Sequence, residues 1–151
     1  MRRLIFVLVS ILIVMDTFSQ GRTTSDRQPV AAGRFYSANK EILTKDLQQL
    51  FESCVKVKGL NVRAIISPHA GYIFSGKIAA AAFSTVDKNS PVKNIFIIGS
   101  SHIMAFDGAS IYNSGDFITP LGRMKVNQEL ATRLKNENRV FNHPVSAHFQ
   151  E

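Results

Sequence analysis

Two histidines in this chain follow short apolar segments that end in turns of small residues. His69 lies in the segment 67–72, Ser-Pro-His-Ala-Gly-Tyr, and His102 closes the segment 99–102, Gly-Ser-Ser-His. If the apolar segments are neighbouring parallel strands, both imidazoles lie at the same end of the sheet, a few ångströms apart. Neutral imidazole binds iron, copper and zinc, so the pair predicts part of a metal site. The same pattern also fits two polar loop histidines with a structural role.

Other polar side chains accompany the two turns. Tyr72 and Ser101 are candidate substrate-binding hydroxyls, although the Tyr72 ring also fits simple packing of its loop. A third histidine, His148, stands three residues before Glu151. The segment 99–101 lacks the lysine of a phosphate-binding P-loop, and no Gly-x-Ser-x-Gly turn presents Ser101 as a nucleophile.

The elements that would position the two histidines form a strand, loop, helix, strand sequence. Residues 62–67 and 94–98 are apolar without alternation, as in strands covered on both faces, and a small-residue helix is predicted at 77–86. A parallel pair joined by a helix is one right-handed βαβ unit. The predicted class is therefore α/β, a mixed sheet flanked by helices.

Further elements are predicted on both sides of this unit. Ser37 or Asn39 caps a helix that runs from Lys40 to about Val55. After His102 the pattern predicts a strand at 109–112, a loop or hairpin at 116–124, and a helix capped by Asn127 that ends near Lys135.

Composition excludes some functional classes. The formal net charge is +7, but the 18 Lys and Arg residues are scattered, without an aromatic-interleaved basic block, so nucleic-acid binding is not expected. The single cysteine, Cys54, cannot form an intramolecular disulfide. It continues the apolar face of the first predicted helix, which predicts a buried core thiol.

The first residues have the pattern of a secretory signal peptide. Arg2 and Arg3 precede an apolar stretch at 4–15, and Thr17 and Ser19 supply small residues before an expected cleavage after residue 19. This stretch is shorter than the roughly 20 residues of a membrane span. We therefore expect a signal peptide at 1–19, a flexible lead-in at 20–28, a domain at 29–151, and export to the periplasm or the extracellular space. Recovery of cytoplasmic protein that retains residues 1–19 would contradict export.

Several ordered motifs together resemble the Memo family, whose bacterial members are called AmmeMemoRadiSam system protein B. They are the segments 62–72, 75–76, 95–102 and 119–122, with 32–36 (Ala-Gly-Arg-Phe-Tyr) similar to the family's Ala-Gly-x-Trp-Tyr and 148–151 similar to its His-Ser-x-Glu. The resemblance covers nearly everything after Gln28.

This resemblance implies a fold like that of class III extradiol dioxygenases and a redox site for iron or copper. It implies that His69 and His102 are metal ligands and that His148 is a general acid or base. The family's remaining ligand is a Cys much further along the chain than Glu151, so we expect this sequence to be a C-terminally truncated member whose third ligand lies outside it.

Two functions follow from these expectations. One is a dioxygenase-like oxidoreductase that acts on a small molecule. The other is a non-catalytic protein. It would use the cleft expected at the same two histidines to hold a peptide or a protein partner from a radical-SAM-associated system.

Overall fold

The computed structural model describes residues 25–57 and 61–149 of this chain. In chain order its elements are helix α1 (Lys40–Ser53), helix α2 (Tyr72–Phe83), strand β1 (Phe117–Thr119), strand β2 (Gly122–Met124), helix α3 (Gln128–Glu137) and a 3₁₀ helix (Val145–His148). Helices and a small antiparallel sheet make this a mixed α/β structure, as predicted. The predicted signal peptide, the first half of the lead-in and Glu151 lie outside the described residues.

Helix α1 follows the predicted pattern closely. Its N-cap is Asn39, whose side-chain Oδ1 accepts a hydrogen bond from the Ile42 N–H at 2.9 Å. Such a cap contributes about 1 kcal/mol to helix stability. Leu43 and Cys54 are buried on the inner side, and the thiol is free. The prediction of a buried core cysteine is therefore confirmed.

Helix α2 begins five residues earlier than the predicted helix at 77–86. Its first residue, Tyr72, directly follows the turn that carries His69, and Gly71 is the N-cap. Gly76, predicted to precede the helix, lies inside it, and a Cβ there would be 2.9 Å from Cδ1 of Leu50. The missing side chain therefore allows α1 and α2 to approach closely, which offsets the low helix propensity of glycine.

The hairpin and the helix after it also agree with the sequence. β1 and β2 pair antiparallel within the predicted loop or hairpin at 116–124, and Gly122 has a positive φ of 134° at the turn. The side chain of Asn127 caps α3 by accepting the Leu130 N–H at 3.0 Å.

The prediction of two buried parallel strands at 62–67 and 94–98 is wrong. Neither segment belongs to a strand of the described structure, and the side chains of Ile66 and Ile98 are 98% and 95% exposed. A strand covered on both faces needs layers of structure on both sides, and the described elements supply none there. The strand predicted at 109–112 is likewise irregular, although Ala109 exchanges backbone hydrogen bonds with Val140 and His143.

Residues 25–27, which we call the strap, lie against the chain just before and within β1. The Ser25 N–H donates to the Ser114 carbonyl at 3.0 Å and the Arg27 N–H to the Asp116 carbonyl at 2.8 Å, while the Arg27 carbonyl accepts the Ile118 N–H at 2.9 Å. The sequence assigns these residues to a flexible lead-in, whereas the structure docks them on the hairpin.

None of the described helices is sufficiently long and apolar to cross a membrane.

Candidate functional site

The structure brings His69 and His102 together. Their Nε2 atoms are 3.1 Å apart and their ring centroids 5.1 Å apart, with the ring planes inclined at 58°. Both residues are exposed. Two neutral imidazoles at this distance form a hydrogen bond in which one Nε2–H donates and the other Nε2 accepts. The predicted proximity is thus confirmed, although the sheet expected to produce it is not formed.

The turn that carries His69 is held by the segment 32–36. The Tyr72 N–H donates to the Phe35 carbonyl at 2.8 Å, and a Cβ on Gly71 would lie 3.4 Å from that same carbonyl oxygen. The Ser75 hydroxyl donates to the Ala70 carbonyl at 2.9 Å and closes the turn from the helix side. These bonds fix the backbone on the C-terminal side of His69.

Ser101, a predicted substrate-binding residue, stabilises the turn that carries His102. Its Oγ accepts the Met104 N–H at 3.1 Å, a local side-chain-to-backbone bond of the kind that nucleates turns. The structure therefore gives this hydroxyl a positioning contact next to the histidine pair.

Tyr72, the other predicted substrate-binding residue, is half-buried and lies on the Tyr36 ring, with 5.3 Å between the ring centroids. Burial, and secondarily the neighbouring Tyr36, raises the pKa of the Tyr72 phenol above its ordinary value. Sequence analysis did not single out Tyr36. Its signal in the sequence was its place in the segment 32–36, which resembles the Ala-Gly-x-Trp-Tyr motif of the Memo family.

His148 lies in a second cluster. Its ring meets the Tyr112 ring edge-on at 5.6 Å between centroids, and its backbone carbonyl accepts the Arg27 Nε–H at 2.8 Å. Tyr112 is buried, and its hydroxyl donates to the Ser25 carbonyl. Neither Arg27 nor Tyr112 was predicted as a site residue, because nothing in their local sequence marks either as a neighbour of His148.

Charged side chains bind the strap to the hairpin region next to this second cluster. The Asp26 carboxylate accepts the Asp116 N–H at 2.9 Å and pairs with the Arg123 guanidinium at 2.6 Å. Mainly through the backbone bond from Asp116, with help from Arg123, the pKa of Asp26 is lowered. Arg123 also approaches Asp116 at 3.4 Å, so it lies between two carboxylates.

The histidine pair fits part of a metal site. Imidazole nitrogens bind Zn²⁺ at about 2.0–2.1 Å. Two imidazole nitrogens at adjacent coordination positions around one such ion are therefore about 3 Å apart. The observed 3.1 Å agrees with that separation. Within residues 25–57 and 61–149, however, no group of three or more His, Cys, Asp and Glu side chains is placed to hold a metal ion. Among the described residues, the spacing of this one pair is therefore compatible with two imidazole ligands of a metal ion.

Comparison with known proteins agrees with this arrangement of motifs. Residues 27–151 match the model of the family described as Memo-like protein. A MEMO1 family protein of Caldivirga maquilingensis is 36% identical over 117 residues, which are 72% of this chain and 42% of that protein. The memo-1 homolog of Caenorhabditis elegans is 41% identical over 107 residues, 68% of this chain and 30% of that protein. A MEMO1 family protein of Thermotoga neapolitana is 33% identical over 135 residues, 83% of this chain and 49% of that protein.

This chain belongs to the Memo-like family. It spans less than half the length of each of these three relatives.

Proposed function

We propose that this chain contributes the two-histidine part of an iron- or copper-binding redox site of the Memo type. The observation that supports the proposal is the 3.1 Å separation of the Nε2 atoms of His69 and His102. The two residues are 33 positions apart in the sequence, so their convergence is a tertiary feature of the chain.

The chain's own residues have distinct proposed roles. Each of His69 and His102 offers the lone pair of Nε2 to a metal only when its proton is on Nδ1, so binding replaces the hydrogen bond between the rings. His148 is the proposed general acid or base, and Tyr72 and Ser101 are proposed to contact a small-molecule substrate. Bound iron or copper would supply one-electron chemistry or oxygen activation.

The finer expectation about the fold, a mixed sheet flanked by helices as in class III extradiol dioxygenases, stays a prediction.

Metal analysis of the purified protein tests the proposal. The parent and the His69→Ala/His102→Ala double variant are loaded separately with Fe(II) under anaerobic conditions and with copper, desalted, and measured by inductively coupled plasma mass spectrometry. We expect the double variant to lose most of the metal that the parent retains. His143→Ala is the matched control, since His143 stacks on Phe106 at 4.1 Å and belongs to neither histidine cluster. Equal metal content in the parent and the double variant would refute the assignment.

Oxygen uptake by the metal-loaded parent with catechol-like compounds then separates catalysis from binding. Metal-dependent consumption supports an oxidoreductase. Retained metal without consumption favours the alternative, a non-catalytic protein that holds a peptide or a protein partner at the same histidines.

A further inference from the structure

The strap contacts the residue that the proposed function assigns to proton transfer. We propose that the strap is a positioning device for His148, in which Arg27 holds the backbone of His148 and Tyr112 holds its ring. Only one part of this inference, the role of His148 in proton transfer, rests on the proposed function. The position of His148 can be measured without any metal or substrate.

Arg27 is fixed at three points. Its backbone N–H and carbonyl both bond to the β1 segment, at 2.8 Å to Asp116 and 2.9 Å from Ile118. Its guanidinium lies 4.9 Å from the centroid of the Phe117 ring, a cation–π contact that orients the side chain. Thus Nε is aimed at the His148 carbonyl, to which it donates at 2.8 Å. A donor on a charged guanidinium makes a stronger hydrogen bond than a neutral one.

Tyr112 also contacts both His148 and the strap. Its ring meets the rings of Phe117, His148 and Phe149 in edge-on geometry, at 5.3, 5.6 and 6.4 Å between centroids. Its hydroxyl donates to the Ser25 carbonyl of the strap. The buried Tyr112 side chain therefore contacts both the His148 imidazole and the strap.

Several contacts that dock the strap do not involve the Arg27 side chain. Asp26 contributes the bond from the Asp116 N–H and the ion pair with Arg123. Gly115 lets the strap approach, because a Cβ there would lie 2.7 Å from the carbonyl carbon of Ser25. Replacing Arg27 therefore removes the contact with His148 and leaves these other contacts in place.

The test compares Arg27→Ala with the parent in two measurements. The first is the NMR signals of the His148 ring, assigned among the 4 histidines with a His148→Gln variant. The second is hydrogen exchange of the Ala147 and Phe149 amides, which donate to the Pro144 and Ser146 carbonyls. We expect the ring signals to shift as the imidazole leaves the edge of Tyr112, and these amides to exchange about tenfold faster, as loss of one charge-assisted hydrogen bond implies.

Three variants keep the result interpretable. Arg34→Ala removes another arginine that lies over an aromatic ring, that of Phe35, and is expected to leave His148 unchanged. Arg27→Lys retains the cation near Phe117 without the planar Nε donor, so we expect an intermediate shift; it decides the question if Arg27→Ala does not fold. Tyr112→Phe keeps the ring and loses only the bond to Ser25.

Unchanged ring signals and exchange in both Arg27 variants would overturn the positioning role. If His148 moves while oxygen uptake by the metal-loaded protein stays the same, the positioning device stands and the proton-transfer role of His148 fails.

Discussion

The 3 tyrosines of this chain each sit where burial disfavours the phenolate. Burial is the largest cause that raises the pKa of Tyr36, Tyr72 and Tyr112 above 10.0, and the nearby Asp26 adds to it at Tyr112. The folded state thus binds phenolic protons more tightly than the unfolded chain. Their contribution to stability is fully present below pH 10 and is lost as the pH rises through the raised pKa values.

Absorbance at 295 nm during alkaline titration measures this directly. We expect the folded protein to ionise its tyrosines above the midpoint found in 8 M urea, which should lie at about pH 10. Tyr72→Phe should remove one of the delayed ionisations and weaken the alkaline loss of stability. A folded midpoint at or below the midpoint in urea would contradict the prediction.

Single residues were predictable from sequence where the signal is local. The turns after two apolar segments located His69 and His102, and helix-capping chemistry located Asn39 and Asn127. The contact between Arg27 and His148 spans 121 positions and joins a side chain to a backbone carbonyl. No periodicity or spacing in one sequence encodes such a pair, so the second cluster could emerge only from the structure.

At the scale of the elements, the contact between the strap and the hairpin depends on Gly115. Any side chain at this position would collide with the backbone of the strap. A Cβ at Gly115 would lie 2.7 Å from the carbonyl carbon and 3.0 Å from the amide nitrogen on either side of the Ser25–Asp26 bond. Backbone atoms paired in this way cannot move aside as the end of a flexible side chain can. Gly115→Ala is therefore expected to destabilise the protein by about 1–3 kcal/mol, as overpacking does.

Urea unfolding followed by circular dichroism measures the change in the free energy of unfolding. Gly99→Ala is the control, since a Cβ at Gly99 meets no other atom within 4 Å. Equal destabilisation by the two variants would show that loss of glycine, rather than the approach of the strap, is responsible.

The element predictions succeeded and failed for different physical reasons. Helices α1 and α3 satisfy their backbone bonds internally and carry their own caps, so local sequence suffices for them. A buried strand depends on partners and on covering layers that are distant in sequence, and its apolar residues alone do not supply them. This is why 62–67 and 94–98 have strand-like composition but irregular structure.

At the scale of the whole molecule, the main consequence is an exposed apolar surface. The four consecutive side chains Ile95, Phe96, Ile97 and Ile98 are between 66% and 95% exposed. A contiguous apolar run of high β-propensity, without charge or proline, is a site of association between chains. We therefore expect this chain to self-associate as its concentration rises, with a weight-average mass above that of the monomer in sedimentation velocity.

A charge within this run should oppose the association. Burying one isoleucine is worth roughly 1.5–3 kcal/mol, so Ile97→Lys removes that gain and adds the cost of desolvating an ammonium group. The expected result is association weakened by at least about tenfold at equal protein concentration. Ser90→Lys adds the same charge outside the run and should leave the association of the parent intact. If both variants associate as the parent does, the run 95–98 is not the contact. If Ser90→Lys weakens association as much as Ile97→Lys, net charge rather than apolar surface controls it.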